Sequence, residues 1–217
     1  MNKKMKFENT CVSGFYSSIK GMRNPMNSWS FSDSNYYLNY RCDDNMRYEN
    51  FHIGEKDMNL AKQLIIAGSE HAKFLRQIQV WVDITMPRYW WSEADTYKFG
   101  TKNSCSTMHK LFDKNKKLTL DDFIFDEREE ELIKLLINEI NNLARIHFEN
   151  SGDGIELVRA KRLLPEGYLQ ERTLNTNYAE LRNMYQQRKS HRLKEEWQDT
   201  FCKWIETLPY SKQLIIE

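Results

Sequence analysis

An alternating segment at residues 78–85 constrains the fold of this chain more than any other feature. Within it, Val80, Val82 and Ile84 alternate with polar or aromatic residues. Successive side chains of a strand point to opposite faces of a sheet, so this period of two predicts a half-buried β-strand. Pro87 ends the strand, because proline has no amide hydrogen to donate to a neighbouring strand.

A long amphipathic helix is predicted after the acidic run at residues 126–131. Apolar residues recur there at spacings of three and four, as one face of a helix requires. These residues are Leu132, Leu136, Ile140, Leu143 and Ile146. The acidic run fits the start of the helix, because the helix dipole favours negative charge at that end.

The remaining elements are shorter. Helices are predicted at 58–67, 70–75, 155–164 and 176–208, the last with a break near Ser190. Pro165 ends the third of these, and an extended linker is expected after it. The first 50 residues, with short aromatic runs between polar clusters, predict short strands and turns. Several helices with at least one strand indicate an α+β fold.

Composition limits the class of protein. The chain has 217 residues, of which 40% are hydrophobic and 13% aromatic, and this argues against disorder. Glycine (8) and proline (4) are scarce and no segment is typical of a linker, so we expect a single domain over 1–217. The net charge is 32 − 31 = +1, which gives no reason to expect nucleic acid or a membrane as a partner.

The sequence lacks the motifs that several kinds of catalytic and metal-binding site require. The four cysteines form no CxxC pair and no two histidines have HExxH spacing, so no metal site is expected. The motifs of serine hydrolases, P-loop proteins and Rossmann dehydrogenases are also absent. No apolar segment is typical of a signal peptide or long enough to span a bilayer. We expect a soluble cytoplasmic protein with reduced thiols.

Residues 96–109 form a polar segment, TYKFGTKNSCSTMH, after the predicted strand. Hydroxyl groups, amides and two lysines can present many hydrogen-bond donors to a phosphate or a heterocycle. The alternative is an ordinary polar turn.

The helix that ends at Arg188 carries a second candidate. Asn177 and Arg188 are 11 residues apart, which is about three helical turns, so they share one stripe roughly 16 Å in length. Leu181 and Met184 lie between them on that stripe. A polar residue at each end is typical of a wall that lines an elongated ligand. The alternative is an arginine at the rim of the core, paired with a glutamate.

The spacing of these residues resembles the flavin-dependent thymidylate synthase family. The family signature RHRxxSxNxxSxRY falls on residues 96–109, where Thr101 replaces the first serine and Asn103 and Ser106 match. Downstream, the family order Arg, Pro, Asn, Asn, Arg occurs here without a gap. It reads Lys161, Pro165, Asn177, Asn183 and Arg188. The resemblance covers about residues 58–208.

The sequence departs from that pattern mainly in its positive charges. Thr96-Tyr97-Lys98 stands for Arg-His-Arg, Lys161 for an arginine, and Met108-His109 for Arg-Tyr. Lysine does not reproduce the bidentate phosphate contact of arginine. In addition, Glu93 stands where the family usually has glutamine, and Ser104 where it often has glutamate.

The resemblance implies a central antiparallel sheet flanked by long helices, a homotetramer, and the methylation of dUMP to dTMP with FAD, NADPH and methylene-tetrahydrofolate. Arg188 would be the catalytic residue, contacting the pyrimidine and stabilising negative charge on it. The flavin cofactor would be bound by His71, Lys73, Thr96, Tyr97, Lys98, Asn103, Ser104, Asn177 and Asn183. The nucleotide would be bound by Glu93, Thr96, Ser104, Cys105, Ser106, Thr107, Met108, Lys161 and Arg188.

Two other hypotheses stay open. The first is a divergent homologue that binds flavin, a pyrimidine nucleotide or both, and catalyses a different reaction or none; the missing arginines favour it. The second is a helical interaction module without small ligands, which requires the spacing match to be a coincidence.

Overall fold

The structure, a computed structural model, describes residues 4–43, 45–150 and 154–217; the remaining parts of the predicted 1–217 domain lie outside these ranges. One six-stranded sheet is described there, in the order β2-β3-β1-β4-β6-β5. The strands are β1 Lys6–Ser13, β2 Asn35–Asp43, β3 Met46–His52, β4 Gln79–Pro87, β5 Thr101–Ser104 and β6 Leu169–Asn177.

Helices flank the sheet, which confirms the α+β prediction. They are α1 Phe15–Met22, α2 Glu55–Ile66, α3 Arg88–Ala94, α4 Thr107–Lys110, α5 Glu130–Glu149, α6 Ile155–Leu163, α7 Tyr178–Arg188 and α8 Lys203–Thr207. Each helix within the described ranges is too short or too polar to cross a bilayer.

Strand β4 is central, as its alternating sequence predicts. It pairs antiparallel with β1 on one side and with β6 on the other. Val80, Val82 and Ile84 are buried under the helices, whereas Trp81 on the opposite face is 41% exposed. The other described pairings are antiparallel except for β1 with β3, which is parallel, so the sheet is mixed where the resemblance implied an antiparallel one.

The segment after Pro165 corrects the sequence-based prediction. An extended linker was expected, but residues 169–177 form β6, which pairs with β4 along its whole length. The strand was missed because its sequence, LQERTLNTN, has only one buried apolar side chain, Leu174. Its stability therefore comes from the backbone ladder and not from an apolar face.

The predicted helix at 176–208 is interrupted as expected. Helix α7 ends at Arg188, a π-helical segment covers Lys194–Cys202, and α8 follows. Trp197 in that segment packs on Trp90 of α3, with ring centroids 4.8 Å apart. This contact brings the chain after α7 against the end of α3.

Helix α5 buries a stripe that is partly different from the predicted one. Ile133, Ile137, Ile140 and Leu143 are buried, whereas Leu132 is 60% exposed. The buried stripe belongs to a second apolar cluster, formed with α6 and residues 111–123, beside the main core on the sheet. In the first 50 residues the predicted strands are present, and α1 between them was not predicted.

Candidate functional site

Five side chains meet where α3 and α7 end, and we call them the Glu93 cluster: Glu93, Tyr97, Arg188, His191 and Trp197. Arg188 Nη1 donates to Glu93 Oε2 over 2.8 Å, and Arg188 Nε donates to the Tyr97 hydroxyl, also over 2.8 Å. The guanidinium carbon lies 4.5 Å from the centre of the Trp197 ring. Burial of Trp90 and Trp197 fixes the two helix ends that carry these groups.

The Glu93 carboxylate is held through one of its two oxygens. Trp197 Nε1 donates to Oε2 over 3.1 Å, and His191 Nε2 lies 3.3 Å from the same atom. Neither Glu93 Oε1 nor Arg188 Nη2 has a hydrogen-bond partner among the described residues. The Glu93 side chain is 33% exposed and that of Arg188 16%, so a ligand can approach a carboxylate and a guanidinium of fixed orientation.

The stripe on α7 does not line a ligand cavity in the single chain. Leu181 and Met184 are buried in the core, so the predicted wall is filled by packed side chains. Arg188 instead fits the alternative interpretation, since it lies at the rim of the core and pairs with Glu93. Helical spacing gives the direction of a side chain but not what packs against it, so the ligand contacts of Asn177 and Arg188 at the two ends of the stripe stay predictions.

The two predicted asparagines lie at different places on α7. Asn177 is the N-cap of the helix, and its side-chain oxygen accepts from the backbone N–H of Glu180 over 3.1 Å. Asn183 is exposed one turn before the C-terminal end and accepts from Gln187 over 2.8 Å. A capping role therefore explains Asn177 without a ligand, and its predicted cofactor contact stays a prediction.

Residues 96–98 follow α3 directly. Thr96 donates to the carbonyl of Glu93 over 2.7 Å and Lys98 donates to that of Asp95 over 2.9 Å. Both side chains are exposed, whereas Tyr97 is buried and donates to Gln187 Oε1 over 2.9 Å. The first two side chains are accessible to a ligand, and the third positions Arg188.

The polar segment that follows is partly an edge strand and not only a turn. Asn103 and Ser104 lie exposed in β5, opposite Thr173 and Arg172 of β6. Ser106 then begins α4, where its side chain accepts from the backbone of Met108 over 3.2 Å.

A cleft of about 560 Å³ opens beside this segment and is lined by three predicted nucleotide-binding residues: Cys105, Ser106 and Thr107. Sequence reasoning missed the charged residues that share it: Lys4, Lys6, Glu8, Lys110, Asp113, Lys116, Asp121, Asp122 and Glu171. The basic and acidic runs between 114 and 131 were the available signal, but such runs usually mark a solvated surface.

Lys161 and Met108 meet, although 53 residues separate them. Lys161 Nζ lies 2.9 Å from Met108 Sδ. The ammonium group forms no ion pair with any described residue, and the Lys161 residue is half-buried. The assignment of both residues to a nucleotide stays a prediction.

His71 and Lys73 lie apart from these residues. Both are exposed at the short helical turn Ala72–Gln77, and Lys73 pairs with Glu70 over 3.5 Å. The structure gives no hydrogen bond or ion pair between either described side chain and the Glu93 cluster. Their assignment to a cofactor stays a prediction.

Comparisons with known proteins identify the fold. No protein-family model matches the sequence, and no curated protein matches it. The mixed sheet and its flanking helices have the fold of flavin-dependent thymidylate synthase, shared with two solved structures. These are the Helicobacter pylori enzyme ThyX complexed with FAD and dUMP, and thymidylate synthase X (ThyX) of H. pylori with FAD and dUMP.

Each of these structures aligns with a TM-score of 0.70 at 18% sequence identity and covers 98% of this chain. The alignments cover 98% and 97% of the two H. pylori chains. The fold implied by the signature positions is therefore confirmed over nearly the whole chain.

Proposed function

We propose that the chain is a flavin-dependent thymidylate synthase-like enzyme that binds FAD and a pyrimidine deoxynucleotide. In the proposed reaction it methylates dUMP to dTMP with methylene-tetrahydrofolate and NADPH. One observation carries the proposal: Glu93 and Tyr97 hold Arg188, although these partners are 95 and 91 residues away in sequence. Positions at opposite ends of the family pattern thereby form one cluster at the surface of the described chain.

Arg188 supplies the positive charge of this cluster. Its Nε and Nη1 bonds and the Trp197 ring fix the guanidinium plane, so binding need not order a flexible side chain. The Nη2 group is then available to donate to a pyrimidine oxygen or ring nitrogen. Arginine stays protonated, so its contribution is charge stabilisation and not proton transfer.

The exposed members of the predicted cofactor-binding set suit a large polar coenzyme. Thr96, Lys98, Asn103 and Asn183 are exposed and offer a hydroxyl, an ammonium and two amides, and the exposed ring of Phe99 adds an aromatic face. This donor set suits the hydroxyls, phosphates and ring of FAD. Bound flavin would supply the hydride, while these residues bind and orient it.

The nucleotide phosphate is assigned to the segment around α4. Ser106 and Thr107 line the cleft, and Lys161 presents an ammonium group beside Met108. A lysine binds phosphate as a point charge, without the two parallel bonds of an arginine. We therefore expect a weaker phosphate contact than an arginine at position 161 would give.

The proposal includes a homotetramer in the cytoplasm. The surface of α5 and α6 supports an assembly, since it exposes the apolar side chains of Leu132, Leu135, Ile155 and Val158. Such apolar surface is typical of an interface. Light scattering coupled to size-exclusion chromatography tests this part, and a monomer at micromolar concentration would contradict it.

The ion pair between Glu93 and Arg188 favours a second candidate function. Glu93 offsets the charge of Arg188 at 2.8 Å, and this weakens the ability of the arginine to stabilise an anionic pyrimidine ring. A homologue that binds flavin, a pyrimidine nucleotide or both, and that catalyses a different reaction or none, fits this arrangement.

Two measurements test the proposal. FAD is titrated into the purified chain while the flavin absorbance and thermal unfolding are followed; we expect a spectral shift and stabilisation. Tritium release from position 5 of labelled dUMP is then measured with methylene-tetrahydrofolate and NADPH. Flavin binding without tritium release selects the second function, and no response to FAD contradicts flavin binding in either function.

A further inference from the structure

A cavity of about 220 Å³ is lined by residues of α1, of β2 and β3 and of the segment between α1 and β2. Three of its aromatic side chains are each 41–46% exposed: Tyr16, Trp29 and Tyr36. The buried side chains of Ile19 and Phe51 also line it. None of these residues belongs to the Glu93 cluster or to the cleft beside α4, so the cavity is separate from the site proposed above.

The aromatic side chains of the cavity are held by contacts within the fold. Trp29 Nε1 donates to Asn24 Oδ1 over 2.8 Å. The ring centroid of Tyr36 lies 5.0 Å from that of Tyr16 and 6.4 Å from that of Phe51. Rings that are already positioned lose little conformational entropy when a ligand binds, so this surface favours binding of a planar aromatic ring.

The charge around the cavity is positive. Lys20 on α1 is exposed and lines the cavity, its Nζ lies 5.9 Å from the centre of the Tyr16 ring, and it forms no ion pair with any described residue. Arg23 lines the cavity too, but Asp57 offsets its charge. No carboxylate is among the described residues that line the cavity. A cation, which aromatic faces could otherwise bind, is repelled here, and a ligand with a negative charge is favoured.

We propose that this cavity is an accessory site for a purine nucleoside monophosphate. The base stacks against the aromatic rings of Tyr16, Trp29 and Tyr36, and the phosphate pairs with the ammonium group of Lys20. Aromatic side chains bind a base because every base has a π face, and an ammonium group forms a charge-assisted hydrogen bond to a phosphate. This inference does not depend on the proposed function.

The size of the cavity supports a mononucleotide. Cavities that enclose a whole drug-sized ligand usually have about 300–1,000 Å³. The volume of about 220 Å³ is smaller, so it suits a base whose sugar and phosphate stay outside. Lys20 is exposed and therefore accessible to the part that stays outside. A purine presents a larger π face to three aromatic side chains than a pyrimidine does, which favours a purine.

Calorimetric titration of AMP and GMP into the natural chain tests the proposal. We expect saturable binding that neither FAD nor dUMP changes, because the cavity is separate from the residues proposed to bind those two ligands. Trp29→Ala removes one aromatic wall and should weaken the binding of both purine nucleotides by about tenfold, since stacking supplies much of the affinity.

Lys20→Met tests the phosphate contact. Removal of the ammonium group should weaken AMP binding about fivefold and leave the binding of adenosine, which has no phosphate, unchanged. Trp81→Ala is the matched control for Trp29→Ala, because Trp81 is 41% exposed on β4 and does not line the cavity. Purine nucleotide binding should be unchanged there. Thermal unfolding of each variant verifies that it folds.

Several results would overturn the accessory site. These are no binding of AMP or GMP to the natural chain, equal binding in Trp29→Ala, and equal affinity for AMP and CMP. Competition by FAD or dUMP would also overturn it, because the purine nucleotide would then occupy the site of the proposed function. Failure of FAD and dUMP to bind, by contrast, contradicts the proposed function and leaves this inference standing.

Discussion

Two of the arginine–carboxylate pairs among the described residues differ in how completely the hydrogen bonds of the carboxylate are satisfied. Arg23 Nε donates to Asp57 Oδ1 beneath α1 and α2, where the Arg23 side chain is 6% and that of Asp57 0% exposed. Asp57 Oδ2 also accepts from Ser32 over 2.6 Å and from Ser34 over 2.5 Å. In the pair of Glu93 with Arg188, by contrast, one of the two carboxylate oxygens has no hydrogen-bond partner among the described residues.

The difference separates a structural pair from a binding one. A buried charge must have its hydrogen bonds satisfied within the fold, as those of Asp57 are. Spare donors and acceptors are tolerated where water can reach them, and there they can bind a ligand. If this interpretation is correct, substitutions at the first pair act on stability and substitutions at the second act on ligand binding.

Asp57→Ala should give the largest effect. Removing the carboxylate leaves the Arg23 guanidinium buried without its counter-charge, which costs about 3–5 kcal/mol in the free energy of unfolding. Urea denaturation followed by tryptophan fluorescence measures this loss.

Asp57→Asn keeps the shape of the side chain and serves as the second variant if Asp57→Ala does not fold. We expect it to be less stable than the natural chain and more stable than Asp57→Ala. A loss below about 1 kcal/mol in both variants would show that the buried pair is no more structural than an exposed one.

Arg188→Ala should lower turnover strongly and stability only slightly, in contrast to the substitutions at Asp57. Loss of the charge that faces the pyrimidine is expected to lower turnover by about 100-fold, which corresponds to about 2.7 kcal/mol in activation free energy. The free energy of unfolding should fall by only about 1 kcal/mol, because the ion pair is partly exposed. Tritium release and urea denaturation of the same preparation measure the two effects.

Arg145→Ala is the matched control for that variant, since it removes an exposed arginine that pairs with Glu149 on α5. Turnover should be unchanged there. Retained activity in Arg188→Ala would show that the Glu93 cluster does not bind the pyrimidine nucleotide.

Local sequence pattern was sufficient for those parts of the fold whose burial follows a simple period. Strand β4 and helix α5 were predicted because their apolar residues repeat at two and at three or four positions. Strand β6 was missed because its exposed polar side chains carry no period, and its position depends on pairing with β4 and β5. Such pairing is a tertiary effect that no local pattern encodes.

The resemblance to the flavin-dependent thymidylate synthase family implied binding roles for Glu93, Tyr97 and Arg188 but not their arrangement. The structure brings these three side chains into contact, and their roles stay a prediction. Trp197 was missed, because no motif distinguishes a tryptophan that fixes a carboxylate from one that fills the core. The assignment of the spare atoms Oε1 and Nη2 required coordinates.

Lys161 differs from Arg23 and Arg188, because it has no carboxylate partner among the described residues. Lys161→Met keeps most of the aliphatic stem and removes the charge. We expect nucleotide affinity to fall about five- to tenfold, roughly 1 kcal/mol, with little change in stability. Calorimetric titration at two salt concentrations measures the effect, and the variant should show a weaker salt dependence.

Lys134→Met on α5 is the control, because Lys134 already pairs with Glu130 over 2.7 Å. An equal loss of affinity in both variants would assign the effect to overall charge and not to a phosphate contact at Lys161.

The smallest effect concerns Asp95, which follows α3 and accepts from Arg172 over 3.0 Å. Partial burial raises the pKa of this carboxyl, but hydrogen bonds and charge from Arg172 and Lys102 outweigh it and leave the pKa below 3.8. A lowered pKa means that the pair contributes its full stability above about pH 4 and loses it as the pH falls through that lowered value.

The Asp95 side chain is 46% exposed, so solvent screening should keep this contribution under about 1 kcal/mol. The free energy of unfolding of the natural chain and of Asp95→Asn should therefore differ at pH 6 and converge towards pH 2.5. A difference that stays constant over this range would mean that the charge of Asp95 contributes nothing. The pair of Asp95 with Arg172 would then differ from the Asp57 and Glu93 pairs, since its contacts would contribute geometry and no charge stabilisation.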